Sequence, residues 1–145
     1  METAARDNGP VLVDAIYNGI IETQEVVIEI GDNLLEYANK LRVEQSEAVF
    51  TGLSSGFDDL TSLIDFVSSL NRGLDELSGG DDWKRKLLCW DKTLSVFEDM
   101  YASFEREDWV TLSDLIEYEL RPLLQEGSAV FSEIQKGIEK EYMAA

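Results

Sequence analysis

The sequence contains no histidine in its 145 residues. Without an imidazole it cannot build a histidine-based catalytic triad, a histidine zinc site or the Glu-x-x-His pairs of di-iron bundles. Cysteine is almost as scarce, because Cys89 is the only one. A single cysteine excludes an intramolecular disulfide and a thiolate metal cage, and we expect Cys89 to serve as a small buried hydrophobic residue. These absences predict a protein without enzymatic activity or cofactor.

Positive charge is also in short supply. Twelve basic residues face thirty acidic ones, which gives a formal net charge of −18. Such a surface repels the phosphate backbone of nucleic acids and the anionic face of membranes. We therefore predict no nucleic-acid partner and no membrane partner, whereas a basic protein partner fits the charge.

The chain lacks long apolar runs. No segment approaches the roughly 20 apolar residues that a membrane span needs. The first ten residues, METAARDNGP, are polar and carry none of the apolar core of a secretory signal. We expect a cytoplasmic protein with a flexible leader at residues 1–9 and a single helical domain at residues 10–142, since the length suits one domain.

Proline occurs only twice, and apolar residues recur at intervals of three, four or seven, as on one buried helix face. Asn8-Gly9-Pro10 predicts the start of the first helix, with proline at a position where its missing N–H costs nothing. The stripe of this helix comprises Leu12, Ile16, Ile20, Val27, Ile30, Leu34, Ala38 and Leu41.

A second helix carries its own apolar stripe, which comprises Val49, Leu53, Phe57, Leu60, Ile64, Val67, Leu70, Leu74 and Leu77. Gly52 and Gly56 are spaced so that a neighbouring helix could approach closely, but the sequence leaves open whether the helix breaks near Gly56. The segment SGGDD at residues 78–82 predicts a boundary, with glycine ending one helix and aspartate capping the next.

The third helix shows the most regular pattern, a heptad seam of Trp83, Leu87, Trp90, Leu94, Phe97, Tyr101 and Phe104. The fourth carries Leu112, Ile116, Leu120, Leu123, Gly127, Val130, Ile134 and Ile138. The short connection EREDW makes these two helices fold back on each other. The pattern as a whole predicts an all-α, antiparallel four-helix bundle, and the regular seam also suggests a homodimer.

The stretch DWVTLSDLIEYELRPLLQE, residues 108–126, is the first candidate for a site. Asp114 and Glu117 lie three residues apart on one helix face, and Glu117 precedes Arg121 by four. One interpretation is a carboxylate pair for a hard divalent cation or for acid–base work. The other, which we favour, is a solvated face with an ion pair inside the helix. Glu119 lies beside the apolar stripe, where we expect partial burial.

Two further residues of this stretch complete the candidate surface. Pro122 removes one helical hydrogen bond and predicts either a shaped groove or a kink that wraps the helix around the core. The three tryptophans are candidate anchors for a partner. Trp83 and Trp90 fit the seam and so are predicted core residues. Trp109, at a helix start beside a tight turn, is predicted to be partly exposed.

The helix pair from about Leu94 to Leu124 resembles the C-terminal part of small, acidic, uncharacterised bacterial helical proteins. The resemblance rests on an acidic-aromatic turn and a following helix, at Asp108, Trp109, Leu112, Asp114, Leu115, Glu117, Tyr118, Glu119, Leu120, Pro122 and Leu123. It covers about a fifth of the chain and implies an all-helical fold, but no particular activity.

Three functional hypotheses follow. The preferred one is a non-enzymatic protein-interaction module, an adaptor or chaperone-like bundle. The second is a protein or enzyme that binds a divalent metal through Asp114, Glu117 and Glu119. The third is an acidic mimic of nucleic acid that binds a basic protein, which requires a stripe of carboxylates at the spacing of phosphates.

Overall fold

The computed structural model describes residues 2–77 and 79–143, with side chains from residue 11 onward, and all regular structure in this part is helical. The helices are α1 (Glu2–Leu41), α2 (Glu47–Leu74), α3 (Gly80–Lys86), α4 (Cys89–Glu105), α5 (Trp109–Asp114) and α6 (Arg121–Ile138). A π-helical segment, Leu115–Leu120, joins α5 to α6, and a second, Glu139–Met143, follows α6. The predicted all-α bundle is confirmed for the described residues.

Helix α1 is the central element of the bundle. It packs against α2 on one side and against α5, the first π-helical segment and α6 on the other. Along the second of these pairs the contacts run in reverse order: Tyr17 bonds to Glu139, Gln24 to Gln135, and the Ser113 hydroxyl to the Ala38 carbonyl. The apolar stripe predicted for α1 is buried from Ile16 to Leu41.

Glycines let the helices approach α1 closely, as predicted for Gly52 and Gly56. A Cβ atom at Gly52 would lie 2.2 Å from the Tyr37 ring, and one at Gly56 would lie 2.4 Å from a Leu34 methyl carbon. Helix α2 is continuous through both glycines, so no break occurs near Gly56. It begins with the Ser46 side chain accepting a hydrogen bond from the Val49 N–H.

Two predicted helix starts are wrong. Helix α1 begins at Glu2 rather than at Pro10. Helix α3 is preceded by Gly79 in the left-handed conformation, with φ 82°, and no aspartate side chain caps it. Asp81 and Asp82 lie instead in its first turn, where negative charge complements the helix dipole. The predicted boundary residue Ser78 lies outside the described residues.

The predicted third helix differs from the structure in continuity and in its buried face. It is divided into α3 and α4 by a tight turn at Leu87 and Leu88. Trp83 and Trp90 are buried as predicted, but Leu94 and Tyr101 are 41% and 52% exposed. The buried positions of α4 are Trp90, Thr93, Met100 and Ser103. From Thr93 onward the buried face lies one position before the predicted seam, which leaves Leu94 and Tyr101 exposed and Phe97 and Phe104 partly buried.

The π-helical segment explains the differences in the fourth predicted helix. The Arg121 N–H bonds to the carbonyl of Ile116, five residues back, and this widens the turn just before Pro122. Buried residues therefore follow in steps of four across the segment, at Leu112, Ile116, Leu120 and Leu124. Leu124 and Phe131 are consequently buried in place of the predicted Leu123 and Val130.

No helix in the described part of the chain combines the length and apolar character required to cross a bilayer.

Gly127 offers a test of close packing between α6 and α4. A Cβ there would lie 2.3 Å from the buried, stacked ring of Trp90. We predict that Gly127→Ala destabilises the protein by about 1–3 kcal/mol through overpacking, although alanine favours helix. Urea unfolding measures the change.

Gly31→Ala is the matched control, because its nearest neighbour is a Leu124 methyl carbon at 3.3 Å. We expect this variant to stay within about 1 kcal/mol of the parent. Equal or greater stability of Gly127→Ala would contradict the packing described here.

Candidate functional site

The candidate site is a groove between α2 and α4 that continues to the start of α5. We call it the aromatic groove, and its volume is about 700 Å³. Its lining comprises Phe50, Ser54, Phe57, Asp58, Tyr101, Phe104, Glu105, Glu107 and Trp109. Helix α2 packs mainly against α1, and α4 packs mainly against α5 and α6, so the side between α2 and α4 is more open.

Aromatic rings form the floor of the groove. Phe104 packs edge-on against Phe57 and Phe50, with ring centroids 5.5 Å and 6.3 Å apart. The Trp109 ring lies against Phe50 at 4.9 Å and against Phe104 at 5.7 Å. Such offset and edge-to-face pairs stabilise one another beyond their buried area. The floor is therefore held in place before anything binds.

The rim of the aromatic groove is acidic. Asp58 borders it from α2, Glu105 from α4 and Glu107 from the following turn, and all three are exposed. None of its lining residues is basic. The groove thus combines half-exposed aromatic surface with negative charge only.

The turn from α4 to α5 places Trp109 in the groove. Glu107 adopts the left-handed conformation, with φ 59°, and the Asp108 N–H returns to the Ser103 carbonyl at 2.9 Å. The Asp108 carboxylate then caps α5 by accepting from the Thr111 N–H at 3.2 Å. Hydrogen bonds from the Thr111 side chain and backbone lower the pKa of Asp108. The cap fixes the direction in which α5, and with it Trp109, leaves the turn.

A second hollow lies on the other side of Trp109, with a volume of about 450 Å³. It is lined by Leu41, Arg42, Gln45, Glu107, Asp108, Trp109 and Val110. It differs from the aromatic groove in having a basic residue and in lacking any aromatic ring other than Trp109. Trp109 thus faces mainly aromatic and acidic side chains in the aromatic groove, whereas the second hollow also contains a basic one.

Two of the three acidic residues proposed as a site from the sequence, Asp114 and Glu117, share one arginine from another part of the chain. Arg42 at the end of α1 reaches Asp114 at 3.0 Å and Glu117 at 3.6 Å. Arg121 pairs with Asp32 of α1 at 3.3 Å rather than with Glu117, so the predicted intrahelical pair is wrong. These contacts join α5, the π-helical segment and α6 to α1 and the residue that follows it.

The remaining predicted site residues are divided between the groove and the open surface. Trp109 is half-buried in the aromatic groove, in agreement with its predicted partial exposure. Glu119 is exposed, so its predicted partial burial is wrong. Pro122 is also exposed and lies in the first turn of α6, directly after the π-helical segment. The structure does not bring Glu119 or Pro122 into either hollow.

Three observations describe the acidic side chains and the cysteine as candidates for metal binding and chemistry. Among residues 11–77 and 79–143, no group of three or more cysteine or acidic side chains is placed to hold a metal ion. Cys89 is half-buried, and burial raises the pKa of its thiol, which disfavours the reactive thiolate. At Asp114 and Glu117 an arginine supplies the positive charge that a cation would otherwise provide.

Most of the aromatic groove was not identified as a site from the sequence. Tyr101 and Phe104 were assigned to a buried seam, and Phe50 to no stripe at all. The available signal was the heptad spacing itself. The seam is flanked by the exposed residues Glu98 and Glu105, and a seam bordered by charge suits contact with a partner helix better than burial in a closed core.

The structure defines an all-helical bundle with an aromatic, acid-rimmed groove on one side. The chain belongs to the family described as Domain of unknown function (DUF8042), whose model matches residues 16–140. This agrees with the resemblance to an uncharacterised family and extends it from the C-terminal helix pair to nearly the whole chain. No curated protein and no solved structure matches the chain.

The Asp108 cap predicts a pH-dependent contribution to stability. Because the pKa of Asp108 is lowered on folding, its contribution is present above the ordinary value of 3.8 and is lost as pH falls through the lowered pKa. We expect Asp108→Ala to lower the melting temperature at neutral pH. The difference from the parent should shrink when the melting temperature is measured at a pH low enough to protonate this carboxylate.

Asp108→Asn is the matched control, since an asparagine side chain also caps helices but does not titrate. Its difference from the parent should be smaller than that of the alanine variant at neutral pH. An alanine deficit that is the same at both pH values would contradict a role for the charged carboxylate.

Proposed function

We propose that this protein is a non-enzymatic protein-interaction module, an adaptor or chaperone-like bundle, that holds a protein partner in the aromatic groove. The observation that carries the proposal is the concave, partly exposed aromatic floor between α2 and α4. Aromatic residues are enriched at the centre of protein–protein interfaces, so this floor is a candidate contact surface.

The residue types in the groove support this proposal. Tryptophan and tyrosine are enriched among the residues that dominate binding energy at protein interfaces. Trp109 is half-buried and held by Phe50 and Phe104, so its ring loses little freedom on binding. Tyr101 exposes half of its surface and can be covered by a partner.

Charge directs the proposal toward a basic protein. Asp58, Glu105 and Glu107 surround the floor, and the whole chain carries a net charge of −18. A basic partner would be steered to this surface, whereas phosphate backbones and anionic lipids would be repelled. We place the protein in the bacterial cytoplasm, in keeping with the resemblance of residues 94–124 to small acidic bacterial proteins.

A homodimer is the second candidate, and the exposed part of the predicted seam favours it. Leu94 and Tyr101 lie seven residues apart on α4 and are both exposed, as the contact face of a paired helix would be before association. Against this, the acidic rim of one copy would face the acidic rim of the other.

Site-specific photo-crosslinking tests the proposal. A benzoylphenylalanine at Tyr101, in the full chain produced in cells of the source organism, should yield a discrete adduct with one protein. The same residue at Tyr118 is the matched control, because Tyr118 is an exposed tyrosine outside the groove. We expect no such adduct there.

Competition separates specific from accidental capture. Excess unlabelled parent protein should abolish the adduct at Tyr101, and excess Tyr101→Ala should compete much less well. Absence of an adduct, the same adducts at both positions, or equal competition by the variant would overturn the proposal. An adduct with the mass of two copies of this chain would establish the dimer instead.

A further inference from the structure

We infer that the aromatic groove accepts a single amphipathic α-helix whose polar face is basic. This inference rests on the proposed function and adds the shape and charge of the bound segment. Three observations support it: the periodicity of the groove walls, their length and their charge.

Both walls of the groove have helical periodicity. Phe50, Ser54 and Phe57 follow each other at steps of four and three along α2. On α4 the second half of the predicted heptad seam faces the groove. Phe97 packs against Phe57 with ring centroids 5.8 Å apart, and Tyr101 and Phe104 line the groove. Side chains at this spacing form ridges between which the ridges of a third helix can fit.

The apolar surface of α4 extends beyond the groove lining, from exposed Leu94 through Phe97 to Phe104, and has the length of a short helix. From Leu94 to Phe104 the helix advances about 15 Å, at about 1.5 Å per residue. A partner helix of about three turns would cover this distance and place apolar side chains at i, i+3, i+4 and i+7 over the floor. The alternative of adding a strand requires a sheet edge, and the described part of the chain contains only helices.

Acidic side chains form a row on each wall. On α4, Asp91, Glu98 and Glu105 lie seven residues apart, and on α2, Asp58 and Asp65 do the same. Because seven residues complete nearly two helical turns, Asp91 and Glu98 lie on the same side of α4 as Glu105, and Asp65 lies on the same side of α2 as Asp58. Glu105 and Asp58 line the groove itself, and Arg72 follows Asp65 at the next such position. All five acidic residues are exposed.

The charge distinguishes between occupants. A helix with lysine or arginine flanking its apolar stripe would place each positive charge beside one of these rows. A second copy of this chain would instead bring another net charge of −18 to the same surface. The electrostatic complementarity therefore favours a basic helix over self-pairing.

Binding of synthetic peptides to the full-length protein tests the inference. The first probe is a fluorescent peptide of about 18 residues with leucine and phenylalanine at helical spacing and lysine elsewhere, about five turns long. The second has the same composition with two central residues replaced by their D-enantiomers, which breaks the helix. Fluorescence anisotropy should show at least about tenfold tighter binding of the first, a difference of about 1.4 kcal/mol.

Variants of the protein show whether the peptide binds in the groove. Tyr101→Ala and Glu105→Gln should each weaken binding several-fold, whereas Tyr118→Ala and Glu36→Gln, at exposed positions outside the groove, should not. Raising the ionic strength from about 0.1 M to 1 M should weaken binding further, as the Debye length falls from about 10 Å to 3 Å.

Each contrary result has a definite meaning. Equal binding of the two peptides, or equal effects of the groove and control variants, overturns the inference. Sedimentation of the parent as a dimer that Tyr101→Ala dissociates would assign the groove to a second copy and would also overturn it. A crosslinked partner at Tyr101 without preference for the helical peptide would reject the basic helix but leave the interaction module standing.

Discussion

The arrangement of this protein depends on how closely its helices approach α1. Tyr37 and Leu34 project from α1 into the space left by Gly52 and Gly56. Side chains at those glycines would force the helices apart, and interiors packed at crystal-like density do not absorb such changes. Because α2 and α6 both pack closely against α1, the space between α2 and α4 is left partly open.

That open side connects the packing to the proposed function. A bundle in which all four sides closed equally would bury Tyr101 and the Trp109 ring completely. Here Phe97 and Phe104 of α4 pack against Phe57, and Tyr101 beside them remains exposed to solvent. The proposed binding surface is thus a part of the core that the chain does not cover itself. In this proposal the same residues stabilise the bundle on one face and contact a partner on the other.

The sequence predicted the helical class and most buried positions of α1 and α2 correctly, because a long amphipathic stripe leaves one choice of buried face. It could not decide between adjacent faces of α4, where Leu94 and Tyr101 compete with Thr93 and Met100. Hydropathy favours the bulky seam, whereas the structure buries Thr93, Met100 and Ser103, which lie one position before it. The site was missed for that reason.

The ion pairs were mispredicted for a different reason. Spacing along one helix identifies partners within that helix, so Glu117 was assigned to Arg121. The structure gives Arg121 to Asp32 and gives Glu117 to Arg42, which is distant in sequence. The wide turn at Leu115–Leu120 also escaped prediction, since it has no residue signature of its own beyond the proline that follows. In the structure the wide turn is visible as the steps of four between buried positions.

The wide turn has a consequence for how the sequence can vary. An ordinary α-helix returns to the same face after about 11 residues, and the interval from Leu112 to Leu124 is one residue longer. Loss of one residue between Leu115 and Leu120 would therefore yield a regular helix whose two ends keep their orientations. Relatives of unequal length could share this architecture, with the difference in length absorbed inside a helix rather than in a loop.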